Sequence, residues 1–204
     1  MTTEAYWTDP NEKGLSVYEK SKLIAERAAW DFVKATENHI EFATINPVAI
    51  LGPSLNQHMS LSFQFVENIA SGKMKRIPNI PMNIVDVRDV ALMHVLAMKT
   101  PEANGKRFIA TADGQITMPE IAQLIKQARP KLADKISTKT IPDFAIKLGA
   151  RFNSEAQEGK LLLEMNRNVS NQQARTILGW TPNYTQEEAI LASIDCMIEH
   201  HILK

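Results

Sequence analysis

Residues 16–47 read SVYEKSKLIAERAAWDFVKATENHIEFATINP, and the expected architecture follows from them. Ser16, with Glu19 three residues later, has the form of a capping box, which predicts a long helix from Ser16 to Asn38. The segment Glu41 to Asn46 then predicts a short buried strand that Pro47 stops. A helix that leads into such a strand is the second half of a βαβ unit. The first strand of that unit is not found in the preceding residues.

The alternation of helices and strands continues beyond this stretch. Helices are predicted at Ser60 to Ser71 and Arg88 to Lys99, and extended segments at Asn83 to Val87 and Arg107 to Thr111. This alternation is typical of α/β proteins. The remaining residues predict helices with few strands between them, at Met118 to Ala128, Phe144 to Ala150, Asn171 to Leu178 and Gln186 to His200. They indicate a small mixed lobe packed on a sheet.

The composition excludes several classes of function. The 204 residues include 23 basic and 23 acidic side chains, so the formal charge is zero and neither a nucleic-acid surface nor a polybasic membrane anchor is expected. Cys196 is the only cysteine, which excludes an intrachain disulfide and a Cys-based zinc cluster. No apolar run approaches the ~20 residues of a membrane span, and the first residues do not resemble a signal peptide. We therefore expect a cytoplasmic protein with a small-molecule or protein partner.

Tyr18 and Lys22 are the first candidates for chemistry. They lie four residues apart in the predicted helix, so the phenol and the ammonium share one face, with their Cβ atoms about 6 Å apart. A nearby cation favours the phenolate form of a phenol, which makes it a usable proton donor to a carbonyl that is being reduced. About 0.2 such pairs are expected by chance, so the spacing alone is also compatible with a helical tyrosine and a solvated lysine that have no function.

The pair is part of a longer ordered series of motifs: YEKSK at 18–22, AE at 25–26, AAWDF at 28–32, INPVAILGP at 45–53, VDVRDVA at 85–91 and LGWTP at 178–182. In this order they resemble the extended short-chain dehydrogenase/reductases, also called the NAD-dependent epimerase/dehydratase superfamily. Within it, the sequence is most similar to the dihydroflavonol reductase-like and aldehyde reductase-like members.

The resemblance implies the C-terminal part of a Rossmann-type NAD(P)-binding fold together with a small mixed substrate lobe. Residues 1–52 would be a remnant of the Rossmann domain, and residues 53–204 the substrate-binding lobe, with a segment at about 83–111 that returns to the sheet. The implied reaction is reduction of a ketone or aldehyde by hydride transfer from NADP or NAD. Tyr18 matches the family's catalytic proton donor, and Lys22 matches the lysine that holds the nicotinamide ribose and tunes the tyrosine. Pro47, Val48 and Ile50 match a stretch that lines the nicotinamide pocket.

Two serines have a looser match. Ser60 and Ser62 fall where the family often places a hydroxyl near the cofactor, and Ser62 is the better candidate for cofactor binding. The alternative is that both are surface serines near the start of a helix.

Other prominent residues are interpreted as structural. Asp86, Arg88 and Asp89 predict a local ion-pair network, and Trp180 predicts a packing anchor after a helix end. His94 is interpreted as a packed or half-exposed histidine, because no metal-ligating residue stands at a suitable spacing from it. No metal site is predicted.

The glycines depart from the family pattern. Eight glycines occur and none is closer than nine residues to the next, so the chain has no Gly-rich loop that could approach a pyrophosphate. The residue that distinguishes NAD from NADP would follow that loop. The family's catalytic set also includes a Ser or Thr beside the tyrosine and the lysine, and no Ser or Thr before Tyr18 matches it. The sequence therefore resembles the C-terminal part of a longer reductase, with roughly 120 to 140 preceding residues lacking.

Two alternatives to an active reductase stay open. The first is a noncatalytic remnant or complementing subunit, because the unpaired edge of the strand at Glu41 to Asn46 would favour self-association into a homo-oligomer. The second is a sugar-nucleotide epimerase or dehydratase, which uses the same tyrosine and lysine. The motifs at 28–32 and 46–47 look more like the reductases, whose substrates are small carbonyl compounds.

Overall fold

The computed structural model describes residues 1–36, 40–57 and 59–203, apart from the side chain of Glu155. The helices are α1 (Val17–Ala35), α2 (Leu61–Ala70), α3 (Val87–Lys99), α4 (Met118–Ala128), α5 (Asp143–Gly149), α6 (Ser154–Glu164), α7 (Gln172–Leu178) and α8 (Gln186–Glu199). The strands are β1 (Ala43–Pro47), β2 (Ala49–Leu51), β3 (Ile77–Pro78), β4 (Pro81–Met82), β5 (Ile84–Asp86), β6 (Lys106–Ala110), β7 (Ile116–Thr117) and β8 (Thr140–Ile141). Within these residues no helix is both long enough and apolar enough to cross a membrane.

The predicted capping box opens α1. The Ser16 hydroxyl accepts the backbone N–H of Glu19, and the Glu19 carboxylate accepts the backbone N–H of Ser16. The helix ends at Ala35, before the predicted Asn38, which lies with residues 37 and 39 outside the described residues. The cap residue Thr36 is extended, and its N–H still donates to the turn before it.

The sheet is built from two short parallel pairs. Strand β1 pairs with β6 and β2 pairs with β5, and the N–H of Val48, between β1 and β2, donates to the C=O of Ala110. Pro47 is the last residue of β1, where a strand can accommodate a residue without an N–H. Among the described residues β1 has a strand partner on one edge only.

Two hydrophobic cores lie on opposite sides of β5. Ile84 belongs to the first core, which α2, α4 and α8 enclose, and Val85 belongs to the second, which α3, α7 and β6 enclose. Neighbouring residues of a strand point to opposite faces, so this one strand serves both cores. The tight packing on both sides fixes the sheet from which the site is built.

Trp180 anchors the second core. Its side chain is fully buried, its Nε1–H donates to the C=O of Asp89, and Gly179 before it has the positive φ of 62° that ends α7. The buried carboxylate of Asp89 accepts the N–H groups of Asn183 and Tyr184. These contacts confirm the prediction that Trp180 is a packing anchor, and they give Asp89 a structural role.

The sequence did not predict α6 or the two-residue strands. The apolar residues of α6 gather at its C-terminal end and Gly159 stands in its middle, so it has no helical hydrophobic period. Strands of two residues are too short to show an alternating pattern.

Candidate active site

The first two turns of α1 bring Tyr18 and Lys22 together. The Nζ atom of Lys22 lies 5.4 Å from the centroid of the Tyr18 ring, as the spacing of four residues on a helix requires. The Tyr18 side chain is 55% exposed, and Lys22 is exposed too. A cation therefore stands beside a phenol that an external molecule can reach.

Glu26, one turn further along α1, holds this helix on the sheet. Its carboxylate accepts hydrogen bonds from the Thr44 hydroxyl at 2.7 Å and the Asn46 amide at 2.9 Å, both in β1. Arg107 in β6 donates to both carboxylate oxygens, from Nε at 2.9 Å and from Nη2 at 3.1 Å. Thr44 and Asn46 share a face because they are two residues apart, and Arg107 is the register partner of Thr44. We call this set of contacts the Glu26 anchor. It sets the rotation of α1 about its own axis, and thereby the direction in which Tyr18 and Lys22 point.

The Glu26 carboxyl is ionised in this environment. Burial raises its pKa, but hydrogen bonds from Arg107, Thr44 and Asn46 and the charge of Arg107 outweigh burial, so the pKa is lowered. In the sequence, Glu26 stands out only as part of the AE motif at 25–26. The available signal was the alternation of polar residues at Thr44 and Asn46 in a strand otherwise expected to be buried.

The residues before α1 cover the Arg107 side chain. Its guanidinium lies 3.8 Å from the centroid of the Trp7 ring and donates to the C=O groups of Glu4 and Tyr6. The Glu4 carboxylate in turn accepts the N–H of Ile109 in β6. This segment therefore ties the start of the chain to the sheet, and no sequence pattern revealed it.

The other predicted site residues lie near the carboxyl ends of the strands or on α2. Pro47 is exposed at the end of β1, and Val48 and Ile50 are half-buried and pack partly against the second core. Ser62 is half-buried in the first turn of α2, and Ser60 occupies the helix cap without a side-chain capping bond. The structure thus joins Tyr18 with Lys22 directly and places the serines on a different element.

Gly52 closes the turn after β2. Its φ is +113°, and a Cβ atom built on it would lie 2.8 Å from a carboxylate oxygen of the buried Asp86. That carboxylate accepts hydrogen bonds from Nε and Nη2 of Arg88 at 2.8 Å. A side chain at position 52 would therefore displace this ion pair at the carboxyl end of the sheet, the edge at which α/β proteins bind their ligands.

Comparison with known families decides the relationship. Residues 3–110 match the model of the NAD dependent epimerase/dehydratase family, and they include the Tyr18 and Lys22 pair and the Glu26 anchor. The chain belongs to this family. The α/β fold and the family resemblance predicted from the sequence are thereby confirmed.

Individual relatives are reductases by name. A ketoreductase, azaE of Aspergillus niger, is 36% identical over 134 residues, which are 62% of this chain and 39% of that protein. Cinnamoyl-CoA reductase 1 of Arabidopsis thaliana is 37% identical over 114 residues, 54% of this chain and 32% of that protein. Gre2 of Candida albicans, solved in complex with NADPH, superposes with a TM-score of 0.71 at 25% identity over 98% of this chain and 57% of that one. The match thus spans well under two thirds of each relative.

Proposed function

We propose that this chain carries the proton-donor side of a carbonyl reductase site that uses NADP or NAD. The observation that carries the proposal is the pair formed by Tyr18 and Lys22, with Nζ 5.4 Å from an exposed phenol ring, on a helix that Glu26 locks to the sheet. The named relatives, a ketoreductase and cinnamoyl-CoA reductases, support a reductase over a sugar-nucleotide epimerase.

We infer that the predicted site residues would hold a nicotinamide cofactor. Lys22 would hold the nicotinamide ribose with its ammonium, and Pro47, Val48 and Ile50 would line the ring's pocket with half-exposed apolar surface. Ser62 is a further candidate contact. When bound, the cofactor supplies a hydride to the substrate carbonyl carbon.

Tyr18 completes the reduction on the oxygen of the carbonyl. Its hydroxyl donates a hydrogen bond to that oxygen and gives up the proton as negative charge develops there. The Lys22 ammonium stabilises the phenolate that is left, and solvent returns the proton because the ring is half exposed. Substrates are small aldehydes or ketones.

Self-association is a second proposal for the same chain, in place of or beside catalysis. Val17, Ile24 and Phe32 are 86%, 59% and 64% exposed, and their spacing of seven and eight residues puts them on the face of α1 opposite Glu26. A second copy of the chain would cover this apolar face.

The reductase proposal is tested in a hybrid, because none of the 204 residues form a Gly-rich loop. By itself the chain should bind NADPH more weakly than micromolar in calorimetry. A nucleotide-binding segment from the 36%-identical ketoreductase is fused before residue 1, and reduction of an aldehyde is followed by NADPH absorbance. Tyr18→Phe keeps the ring and should lower turnover by about 10² to 10⁴ with little change in NADPH affinity.

The controls separate chemistry from packing. Tyr6→Phe removes a hydroxyl from a comparably exposed ring and should leave turnover unchanged. Lys22→Ala should raise the KM for NADPH as well as lower turnover. Equal turnover in the hybrid and its Tyr18→Phe variant would refute the assignment of the proton donor.

A further inference from the structure

The formal charge of zero hides an uneven distribution of charge along the chain. Residues 73–76 and 126–151 together contain ten Lys and Arg against two Asp, although the whole chain has 23 basic and 23 acidic side chains. The remaining residues therefore carry an excess of acidic groups. A total charge of zero excludes a uniformly basic protein, but it does not exclude a local basic surface.

The backbone brings the two basic segments together at one corner of the molecule. Strand β3, directly after the first segment, pairs with β8 in the second. The Ser137 hydroxyl donates to the C=O of Lys75 at 2.7 Å, and a Cβ atom on Gly72 would collide with the C=O of Lys135. We call the exposed basic residues of these two adjoining loops the basic corner: Lys73, Lys75, Arg76, Lys131, Lys135 and Lys139.

The basic corner has few counter-charges. Lys73 pairs with Glu67, with Nζ 2.6 Å from a carboxylate oxygen. Among the described residues, no ion pair includes four of the other members, Lys75, Arg76, Lys131 and Lys139. Like charges that are this close in the fold repel one another and attract an anionic surface that approaches them.

Exposed apolar side chains lie directly beside the basic corner. A single residue separates β8 from α5, and α5 packs on α6 through Ile146, whose Cγ2 atom would lie 3.2 Å from a Cβ added to Gly159. Phe144 and Leu148, two residues to either side of Ile146, therefore point away from α6 and are 71% and 56% exposed. Phe152 follows in the next turn and is 86% exposed. We call Phe144, Leu148 and Phe152 the apolar patch.

This combination fits the surface of a lipid bilayer better than another polyanion. Exposed phenylalanine and leucine side chains leave water when they enter the boundary between headgroups and acyl chains, and lysine stems extend from there to the headgroups. Five of the six members of the basic corner are lysines, which act as point charges and lack the planar fork with which arginine recognises bases and phosphates. A nucleic acid would gain nothing from the exposed Leu148.

We propose that the basic corner and the apolar patch bind the surface of a membrane that contains anionic lipids. The contact is peripheral: the lysines lie among the headgroups, and the apolar side chains enter the boundary below them. The proposal goes beyond the reductase function and does not depend on it, because none of these residues belongs to the candidate active site.

Cosedimentation with vesicles tests the proposal on the 204-residue chain. At about 0.1 M NaCl, phosphatidylcholine vesicles with about 30% phosphatidylserine should bind the chain at least tenfold more tightly than vesicles of phosphatidylcholine alone. About 0.5 M NaCl should weaken this binding several-fold, because salt screens exposed charges. Polyuridine RNA and polyglutamate, added at an equal concentration of negative charge, should not displace the chain from the anionic vesicles.

A double substitution measures the role of the basic corner. Lys75→Gln with Lys139→Gln should weaken binding to the anionic vesicles about tenfold. Lys13→Gln with Lys106→Gln removes the same charge from two exposed lysines elsewhere and should change the binding less than about twofold.

A single substitution measures the role of the apolar patch. Leu148→Ser should weaken binding to the anionic vesicles about fivefold, because less apolar surface leaves water on binding. Leu61→Ser in α2 is the matched control, since Leu61 is 59% exposed, and it should leave the binding unchanged.

Four results would overturn the proposal: no binding to the anionic vesicles, equal binding to neutral and anionic vesicles, displacement by the RNA or by polyglutamate, or a variant that behaves like its control. If a variant does not fold by circular dichroism, the lipid comparison and the competition on the wild-type chain decide.

Discussion

Two helices of this chain are held in opposite ways. Helix α8 has 14 residues, of which seven are buried, and it runs through the first core. Helix α1 has 19 residues, all of them described, and none is buried. Yet α1 is the helix that carries Tyr18 and Lys22, while no residue of α8 is a candidate for the chemistry.

The difference shows how a functional helix can be fixed without a core. In α8 removal of apolar surface from water supplies the stabilisation. In α1 the capping box and the bidentate contact between Glu26 and Arg107 supply it, and the opposite face stays free. A polar anchor fixes the orientation of the helix, which hydrophobic contacts specify less sharply, and leaves Tyr18 and Lys22 exposed.

Truncation of a core side chain in α8 should have the largest effect on folding. Ile194 is fully buried, so Ile194→Ala should lower the free energy of unfolding by about 2–5 kcal/mol. Ile24→Ala in α1 removes the same atoms from a 59% exposed side chain and should cost under about 0.5 kcal/mol. Urea unfolding, at a concentration at which the chain is monomeric, measures both. Similar losses would mean that α1 is buried after all.

Removal of the anchor charge should be nearly as severe. Glu26→Gln leaves Arg107 without its counter-charge in a site where both side chains are less than one-fifth exposed, so we expect a loss of about 2–3 kcal/mol. Glu199→Gln, at the exposed end of α8, is the matched control and should change stability by less than about 0.5 kcal/mol. An equal loss of stability in both variants would contradict the role of Glu26 as an anchor.

The same anchor predicts a pH dependence. Because the pKa of Glu26 is lowered on folding, its stabilisation is present above the unfolded value of about 4.5 and is lost as the pH falls through the lower folded value. The difference in unfolding free energy between wild type and Glu26→Gln should therefore be constant near neutral pH and shrink below about pH 4.5. A difference that grows on acidification would contradict the assignment.

The exposed face of α1 should affect association more than folding. Phe32→Asp places a charge on this face and should shift the chain toward its monomer mass of 22.9 kDa in sedimentation, with little change in unfolding. Phe152→Asp alters a phenylalanine outside α1 that is even more exposed than Phe32, and it should not affect the mass. A wild-type chain that is already monomeric at tens of micromolar would end the self-association proposal.

The sequence predicted the elements that have strong local signals. The capping box at Ser16 and Glu19 located α1, and the apolar period located α4 at Met118–Ala128 with both ends correct. The sequence predicted three features less well: the end of α1, the extent of β1 and all of α6. Tertiary contacts fix these features, and local periodicity does not. The two-residue strands exist only through their partners.

The residues of the site also differ in how far the sequence could predict them. Tyr18 and Lys22 were predictable because helix geometry alone brings them together. The Glu26 and Arg107 contact joins residues 81 positions apart, and the pairing of β1 with β6 that creates it has no local signature.

Amide hydrogen exchange compares the two helices most directly. The central claim is that α1 is held by the Glu26 anchor and α8 by the core. The α8 amides should exchange only on global unfolding, and the α1 amides by local opening at a clearly lower free energy. Glu26→Gln should abolish the protection of α1 and, relative to global stability, leave that of α8 unchanged. Equal protection of α1 and α8 in wild type, or a Glu26→Gln variant in which α1 keeps its protection, would contradict the claim.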